Sequence, residues 1–217
     1  AAAGSTIENR AFVNYLPTNA ATTVVAPLAG VRYVATSGDD YAGLNNCLVA
    51  TFPCRTVQYA VDQALDGDAV WVAQGTYTDA LAAGQVVALT SPIAVIGGHD
   101  SATWAYDPDA YTTTLDAGGG VGAAIDGPLE GAATLAGFHI TGGSQGVTIN
   151  GATAVISRTR IYFNSGDGVY AADSALTLQR SWLYSNGGDG VDAANGTCAL
   201  INNVLASNDG AGLRTTA

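Results

Sequence analysis

The stretch from Phe163 to Val191 says nearly the same thing twice, with NSGDGV at 164–169 and NGGDGV at 186–191, 22 residues apart. Four columns keep that spacing. Gly146-Val147, Gly168-Val169, Gly190-Val191 and Gly212-Leu213 form one, and Asn164, Asn186 and Asn208 a second. Ile156, Leu178 and Leu200 form a third, and Ile161, Leu183 and Leu205 a fourth. Each unit carries short alternating apolar stretches separated by Gly, Asn and Asp, which reads as two or three short strands joined by turns. No unit holds a helix-length amphipathic segment, so a leucine-rich repeat of similar period is disfavoured. Self-similarity of this kind calls for stacked copies. The expected fold is an all-β parallel solenoid in which each unit is one coil. Each strand then pairs with its equivalent one coil along, about 4.8 Å away.

Stacking gives each column a task. Columns of Ile, Leu and Val fill the interior. The Asn164, Asn186 and Asn208 column falls at a tight bend, where a buried carboxamide bonds to its neighbours and to the turn backbone. Gly before Val supplies a positive φ or a close backbone approach.

Upstream the period lapses. In RTVQYAVDQALDGDAVWVAQGTY, Val57, Ala60, Val61 and Ala64 fall at i, i+3, i+4 and i+7, an amphipathic helix. Thr56 is placed to cap its start and Gly67 its end. Such a helix can plug the open end of the solenoid core. AVWVA then reads as a buried strand and GTY as a turn, and residues 99–113 read as a surface excursion between early coils. Residues 1–30 differ from the rest. Ile7, Ala11, Val13 and Tyr15 alternate as one half-buried strand, and ATTVVAPL offers another. Two strands do not make an independent domain. The expected organisation is therefore 1–30 as an extended strand segment, a candidate donor to a neighbouring subunit, and 31–217 as the solenoid.

With 18 acidic residues, seven basic residues that are all Arg, and a net charge of −11, the chain is a poor partner for nucleic acid or an anionic membrane surface. No apolar run is long enough to span a bilayer. The absence of Met implies a processed N-terminus or a piece of something longer. Cys47 and Cys54, seven apart in a Gly/Asn/Pro-rich loop, suit a local disulfide in an oxidising compartment. Cys198, inside the repeat, reads as a small buried apolar residue. The expected location is secreted or cell-surface.

The motifs RYVATSGDD, NNC, PCRTVQYAVDQALDGDAVWVAQGTYTDA, IAVIGGHD and GFHITGG, followed by N-x-G-x-GV coils, resemble right-handed parallel β-helix proteins of the pectate-lyase-like superfamily. The resemblance covers about residues 31 to 217 and is closest to bacterial surface and secreted members. It implies a right-handed coil, and it maps that family's Asn ladder onto Asn164, Asn186 and Asn208. GSTIENRAFVNY and TNAATTVV are similar to the last strands of an immunoglobulin-like repeat found in tandem in large bacterial surface proteins. The superfamily includes lyases, hydrolases, adhesins and phage tailspikes, so the fold does not settle the function.

A lyase of this fold needs clustered acidic calcium ligands and a basic proton acceptor. Arg158 and Arg180 share a column, with Arg160 nearby, and Asp167 and Asp189 share another. Two carboxylates one coil apart can share a Ca²⁺, with turn carbonyls completing the shell. Asp before Gly is equally a common turn residue. Hydrolases of the fold use two or three Asp on one face, and the Asp39-Asp40 pair lies in a loop instead. His99, in a turn beside Asp100, reads as surface, and His139 as pointing outward from a strand. Tyr162, Tyr170, Trp182 and Tyr184 are candidate exposed aromatics. No catalytic residue and no cofactor is assigned from these patterns. The sequence leads to an extracellular structural subunit of a filament, sheath or adhesive layer. It would assemble head-to-tail with copies of itself or with neighbouring surface-protein domains, through the N-terminal strands and an open coil. The alternative is a carbohydrate-binding or lyase-like polysaccharide-degrading β-helix whose partners are glycans.

Overall fold

The computed structural model describes residues 30–216 other than 42, 79 and 80, together with the backbone of four short strands before them. Three parallel sheets form the walls of a solenoid. The first sheet has seven strands: Val31–Val34, Ala69–Ala73, Ala94–His99, Ala132–Ala136, Thr153–Ser157, Ala175–Gln179 and Thr197–Ile201. The second has six: Gly75–Tyr77, Thr113–Asp116, Phe138–Thr141, Arg160–Tyr162, Trp182–Tyr184 and Val204–Ala206. The third also has six: Gln85–Leu89, Val121–Asp126, Gln145–Asn150, Val169–Ala172, Val191–Ala194 and Leu213–Thr216. The chain visits the three sheets in turn and then pairs with itself one coil along.

The 22-residue columns are the ladders of these sheets. Ile156 lies beside Leu178 and then Leu200, Ile161 beside Leu183 and then Leu205, and Val147 beside Val169, Val191 and Leu213. Alternate residues of each strand point inward, and Ile156, Leu178, Ile161, Leu183, Val147 and Val169 are fully buried. Upstream the same ladders continue without the fixed spacing, since Val95 pairs with Leu135 across the whole 99–113 excursion.

At the bends, the glycine before each valine is required by close approach rather than by a positive φ. A Cβ on Gly168 would lie 2.7 Å from the Gly190 carbonyl oxygen and 3.0 Å from Asn186 Nδ2. The left-handed backbone falls elsewhere, in columns that tolerate side chains. Arg158, Arg180 and Asn202 have φ of 49°, 51° and 55°, and Phe163, Ser185 and Ser207 have 53°, 55° and 54°. Asp173 and Asn195, at 51° and 52°, complete a third column. Non-glycine residues in this region are uncommon, yet here each bend repeats one.

Buried polar ladders run beside the apolar columns. Asn164 Nδ2 donates to Asn186 Oδ1 at 2.9 Å, and Asn186 Nδ2 donates to Asn208 Oδ1 at 2.9 Å. The same oxygens accept the backbone N–H groups of Asn164 and Asn186. A second ladder went unread in the sequence. The Thr159 N–H donates to Ser181 Oγ at 3.2 Å, and the Ser181 N–H donates to Asn203 Oδ1 at 2.9 Å.

The helix Val57–Gln63 closes the first coil, burying Val57, Ala60 and Val61. Thr56 caps its start by accepting the Tyr59 N–H. Its end differs from expectation: Ala64 is the terminal residue, in extended backbone, and Gly67, at φ 84°, turns the chain three residues later. Gln58 gives the outermost strand of the third sheet a substitute partner. Its side-chain oxygen accepts the Ala88 N–H at 2.7 Å, and its amide reaches the Ala88 carbonyl at 3.3 Å. The Cys47–Cys54 disulfide pins the preceding loop, with both cysteines fully buried.

Two sequence expectations are corrected here. Gly75–Tyr77 is a strand rather than a turn, because Tyr77 is drawn into the core and its hydroxyl donates to the Ala73 carbonyl at 3.0 Å. Cys198 is half-buried, in the last strand of the first sheet, rather than fully buried. In the N-terminal segment, Thr6–Asn9 pairs antiparallel with Ala21–Val24, and Phe12–Val13 with Leu16–Pro17. Ile7 and Val13 therefore fall in two separate strands, while Ala11 and Tyr15 lie outside the described residues.

Candidate functional site: an arginine and aromatic groove

The second sheet turns its outward residues into columns of chemistry. His139, Arg160, Trp182 and Val204 are successive partners in one ladder, and Tyr162 and Tyr184 are partners in the next. The strands alternate, so the residues between them, Ile140, Ile161 and Leu183, are in the core. Tyr162 and Tyr184 stack with ring centroids 5.1 Å apart and planes 8° from parallel. Trp182 is 52% exposed, with the Arg160 guanidinium 5.6 Å from its ring centre. Tyr170, grouped with these aromatics in the sequence, is on the third sheet and does not join them.

A wall stands beside this face. The chain leaves the first sheet at His99 and makes an excursion before joining the second sheet at Thr113. His99 is not a surface turn residue. It is the last residue of its strand and is 2% exposed, stacked on Trp71 at 4.7 Å and packed against Tyr106 at 5.3 Å. The Asp107 N–H donates to the Gly98 carbonyl at 2.8 Å. Gly98 has φ 81°, and a Cβ there would lie 2.7 Å from Pro108, so only glycine lets the excursion fold back this closely. The Tyr106–Asp109 stretch is thereby fixed over the outer face of the second sheet.

Between wall and sheet lies a groove of about 540 Å³. His139, Arg160 and Trp182 form its floor, Tyr106 and Asp109 its wall, and Arg158 and Arg180 rise from the left-handed bend that precedes the floor strands. Arg160 pairs with Asp109 at 3.1 Å, with side chains 43% and 85% exposed. A pair this wet contributes little. Arg158 lies 5.9 Å from the Tyr106 ring centre. Neither Arg158 nor Arg180 makes an ion pair among the described residues. A second hollow of about 310 Å³ adjoins the first, sharing Arg160 and Trp182 and extending to Tyr184, Val204 and Ala206.

Burial, and after it the Arg160 charge, pulls the His139 pKa below its usual value, so the imidazole is neutral at pH 7 and can both donate and accept. Burial pushes the Tyr162 hydroxyl upward, and Tyr184 adds to this.

The Asp167 and Asp189 column faces the third sheet and does not enter the groove. Asp167 Oδ1 accepts the Asp189 N–H at 2.7 Å, and Asp189 Oδ1 accepts the Ala211 N–H. Arg214 engages Asp189 from outside and holds its carboxyl below the usual range. Among the described residues no cluster of three or more His, Cys, Asp or Glu is set to hold a metal ion. Asp39 and Asp40 serve the first coil, where Asp40 accepts the Arg55 and Thr56 N–H groups.

The molecule is thus a parallel β-solenoid with a helix at one end and a polar, aromatic groove along one face. Residues 119–217 match the family model for a right handed beta helix region. No curated protein matches the sequence. Among solved structures, an alginate lyase from Paenibacillus sp. str. FPU-7 is similar at 18% identity, over 68% of this chain and 54% of that one, with a TM-score of 0.49. A rhamnogalacturonan lyase is similar at 12% identity over 80% and 62%, with a TM-score of 0.40. A pectate lyase is similar at 14% identity over 78% and 61%, with a TM-score of 0.38. The chain spans between half and two thirds of the length of these structures.

Proposed function

We propose that the protein binds an anionic polysaccharide in the groove on the outer face of the second sheet. One observation carries this reading: three of only seven basic residues, in a chain of net charge −11, converge on one groove whose floor presents the exposed ring of Trp182. Outside the groove, Arg32 pairs with buried Asp68 and Arg214 with Asp189. In the groove, Arg158 and Arg180 offer planar forks that match a carboxylate or sulfate. Trp182 and, in the adjoining hollow, Tyr184 offer apolar surface to sugar rings, and neutral His139 offers a hydrogen bond to a hydroxyl. Like charges elsewhere on the surface would repel such a polymer, which leaves this groove as its favoured contact.

Glycoside hydrolysis places two carboxyl groups on either side of the bond. In the groove both carboxylates, Asp107 and Asp109, are on one wall, and the Asp107 oxygen already accepts the Asp109 N–H at 3.1 Å. The geometry therefore favours binding over hydrolysis. The groove also favours this reading over head-to-tail assembly through residues 1–30. The disulfide, stable in oxidising surroundings, supports an extracellular setting where such polymers occur.

Calorimetric titration with polyuronate and with a neutral glucan tests the reading. Polyuronate is expected to bind, more weakly as salt rises, and the glucan to bind poorly. Arg158→Ala and Arg180→Ala should each lower polyuronate affinity about tenfold or more, the worth of a hydrogen bond to a charged group. Unchanged affinity in the double variant would overturn the proposal.

A further inference from the structure

The two adjoining hollows differ in chemistry, and their offset gives a direction. The larger draws on His139, then Arg158 and Arg160, then Arg180 and Trp182, three successive coils. The smaller starts at Arg160 and Trp182 and runs on to Val204 and Ala206, shifted by about one coil along the solenoid axis. A polymer occupying both must lie along that axis, crossing the strands. One sugar ring is about as long as one coil is high, so neighbouring sugars meet neighbouring coils.

The ladder that gives the larger hollow His139, Arg160 and Trp182 ends in the smaller at Val204, which is apolar and 44% exposed. At the bend where the larger has Arg158 and Arg180, the next coil has Asn202. The remaining lining of the smaller hollow is Trp182, Tyr184, Ala206, Ser185 and Ser207. Its single cation, Arg160, already faces Asp109. A carboxylate placed over Val204 would lose hydration with no partner in return. An uncharged sugar would lay its apolar face on Trp182 and reach the two serine hydroxyls.

We infer that the groove selects a heteropolysaccharide in which an acidic sugar, held by Arg158 and Arg180, is followed by an uncharged sugar seated on Trp182 and Val204. This rests on the groove being a site for anionic polysaccharide and names which polymer it prefers.

The test titrates the protein with two oligosaccharides of equal length, one a homopolymer of uronate and the other a strict alternation of uronate and neutral hexose. The alternating ligand is expected to bind about fivefold to tenfold more tightly. Trp182→Ala should remove most of that advantage, and Val204→Arg, which offers a cation to the second sugar, should reverse it. If the homopolymer binds as tightly as the alternating ligand and Val204→Arg improves neither, this inference fails while the anionic groove stands. If neither ligand binds even at low salt, both readings fail.

Discussion

The carboxamide of Asn164 donates to that of Asn186 at 2.9 Å, one coil along, and the Asn186 oxygen in turn accepts the Asn164 backbone N–H at 3.2 Å. One side chain thus satisfies a bend it does not belong to, which couples each coil to the next through polar groups as well as through packing.

Asn186→Ala removes both of those bonds together with those from Asn186 Nδ2 to Asn208 and to the Ile161 carbonyl. Stranded buried groups cost about 1–3 kcal/mol each. The expected loss is roughly 3 kcal/mol in a denaturant titration, with a smaller loss for Asn208→Ala, whose side chain is only half-buried. Equal losses at the two positions would contradict the ladder as a buried network.

Gly146→Ala should be among the costliest single-methyl changes in the chain. The new Cβ would clash with Ile161 Cγ2 and with the Gly168 carbonyl oxygen, far closer than van der Waals contact allows. A loss of about 2–4 kcal/mol is expected, since backbone on one side cannot yield. A thermal shift under a few degrees would show that the bend opens easily.

Stability should fall on acidification below about pH 6.5, the usual histidine value. Burial lowers the pKa of both His99 and His139 in the folded state, so between 6.5 and those lower values the unfolded chain binds more protons. The contribution is complete above 6.5 and lost as pH drops toward the folded values. Asp189 and Asp100, both lowered, act only below the carboxylate range, and Asp192, raised by burial, acts in the opposite sense. His99→Gln should flatten the fall in denaturation midpoint between about pH 6.5 and 5. An unchanged slope would place the titration elsewhere.

Cys47→Ser with Cys54→Ser opens a loop with a sequence separation of 7, for which loop entropy predicts a loss of about 2.5 kcal/mol. Because Cys47 and Cys54 pack in the same core as Val57 and Ala60, helix signal in circular dichroism should fall before the sheet signal on heating. A single coincident transition at the unaltered temperature would contradict this.

The regular coils were legible because each equivalent position faces the same surroundings, so Ile156, Leu178 and Leu200 repeat in sequence what they repeat in space. The disulfide and the helix start were legible from local spacing. The groove was only half legible. The Arg158 and Arg180 column and the Tyr162 and Tyr184 column are visible in the spacing. That a wall stands over them depends on Tyr106 packing on His99 and on His99 stacking on Trp71, 28 residues upstream, contacts that follow no period. His99 departs from expectation for the same reason: next to Asp100 in a glycine-rich stretch it looks exposed, and Trp71 on the adjacent strand and Tyr106 from the excursion bury it. The Thr159, Ser181 and Asn203 ladder keeps the 22-residue spacing, yet its change of residue type hides it from a search for identical letters.

A groove whose floor is one residue per coil has its length set in whole steps. Inserting or deleting a single residue within a floor strand such as Trp182–Tyr184 would turn its later outward side chains toward the core. The bends absorb a change of length, as between His139 and Arg160, 21 residues apart, and Arg160 and Trp182, 22 apart. Duplicating a full 22-residue unit would instead leave the walls intact and add one binding position. A groove built this way lengthens only by whole coils, so its reach is better read as a count of coils than as a tuned dimension.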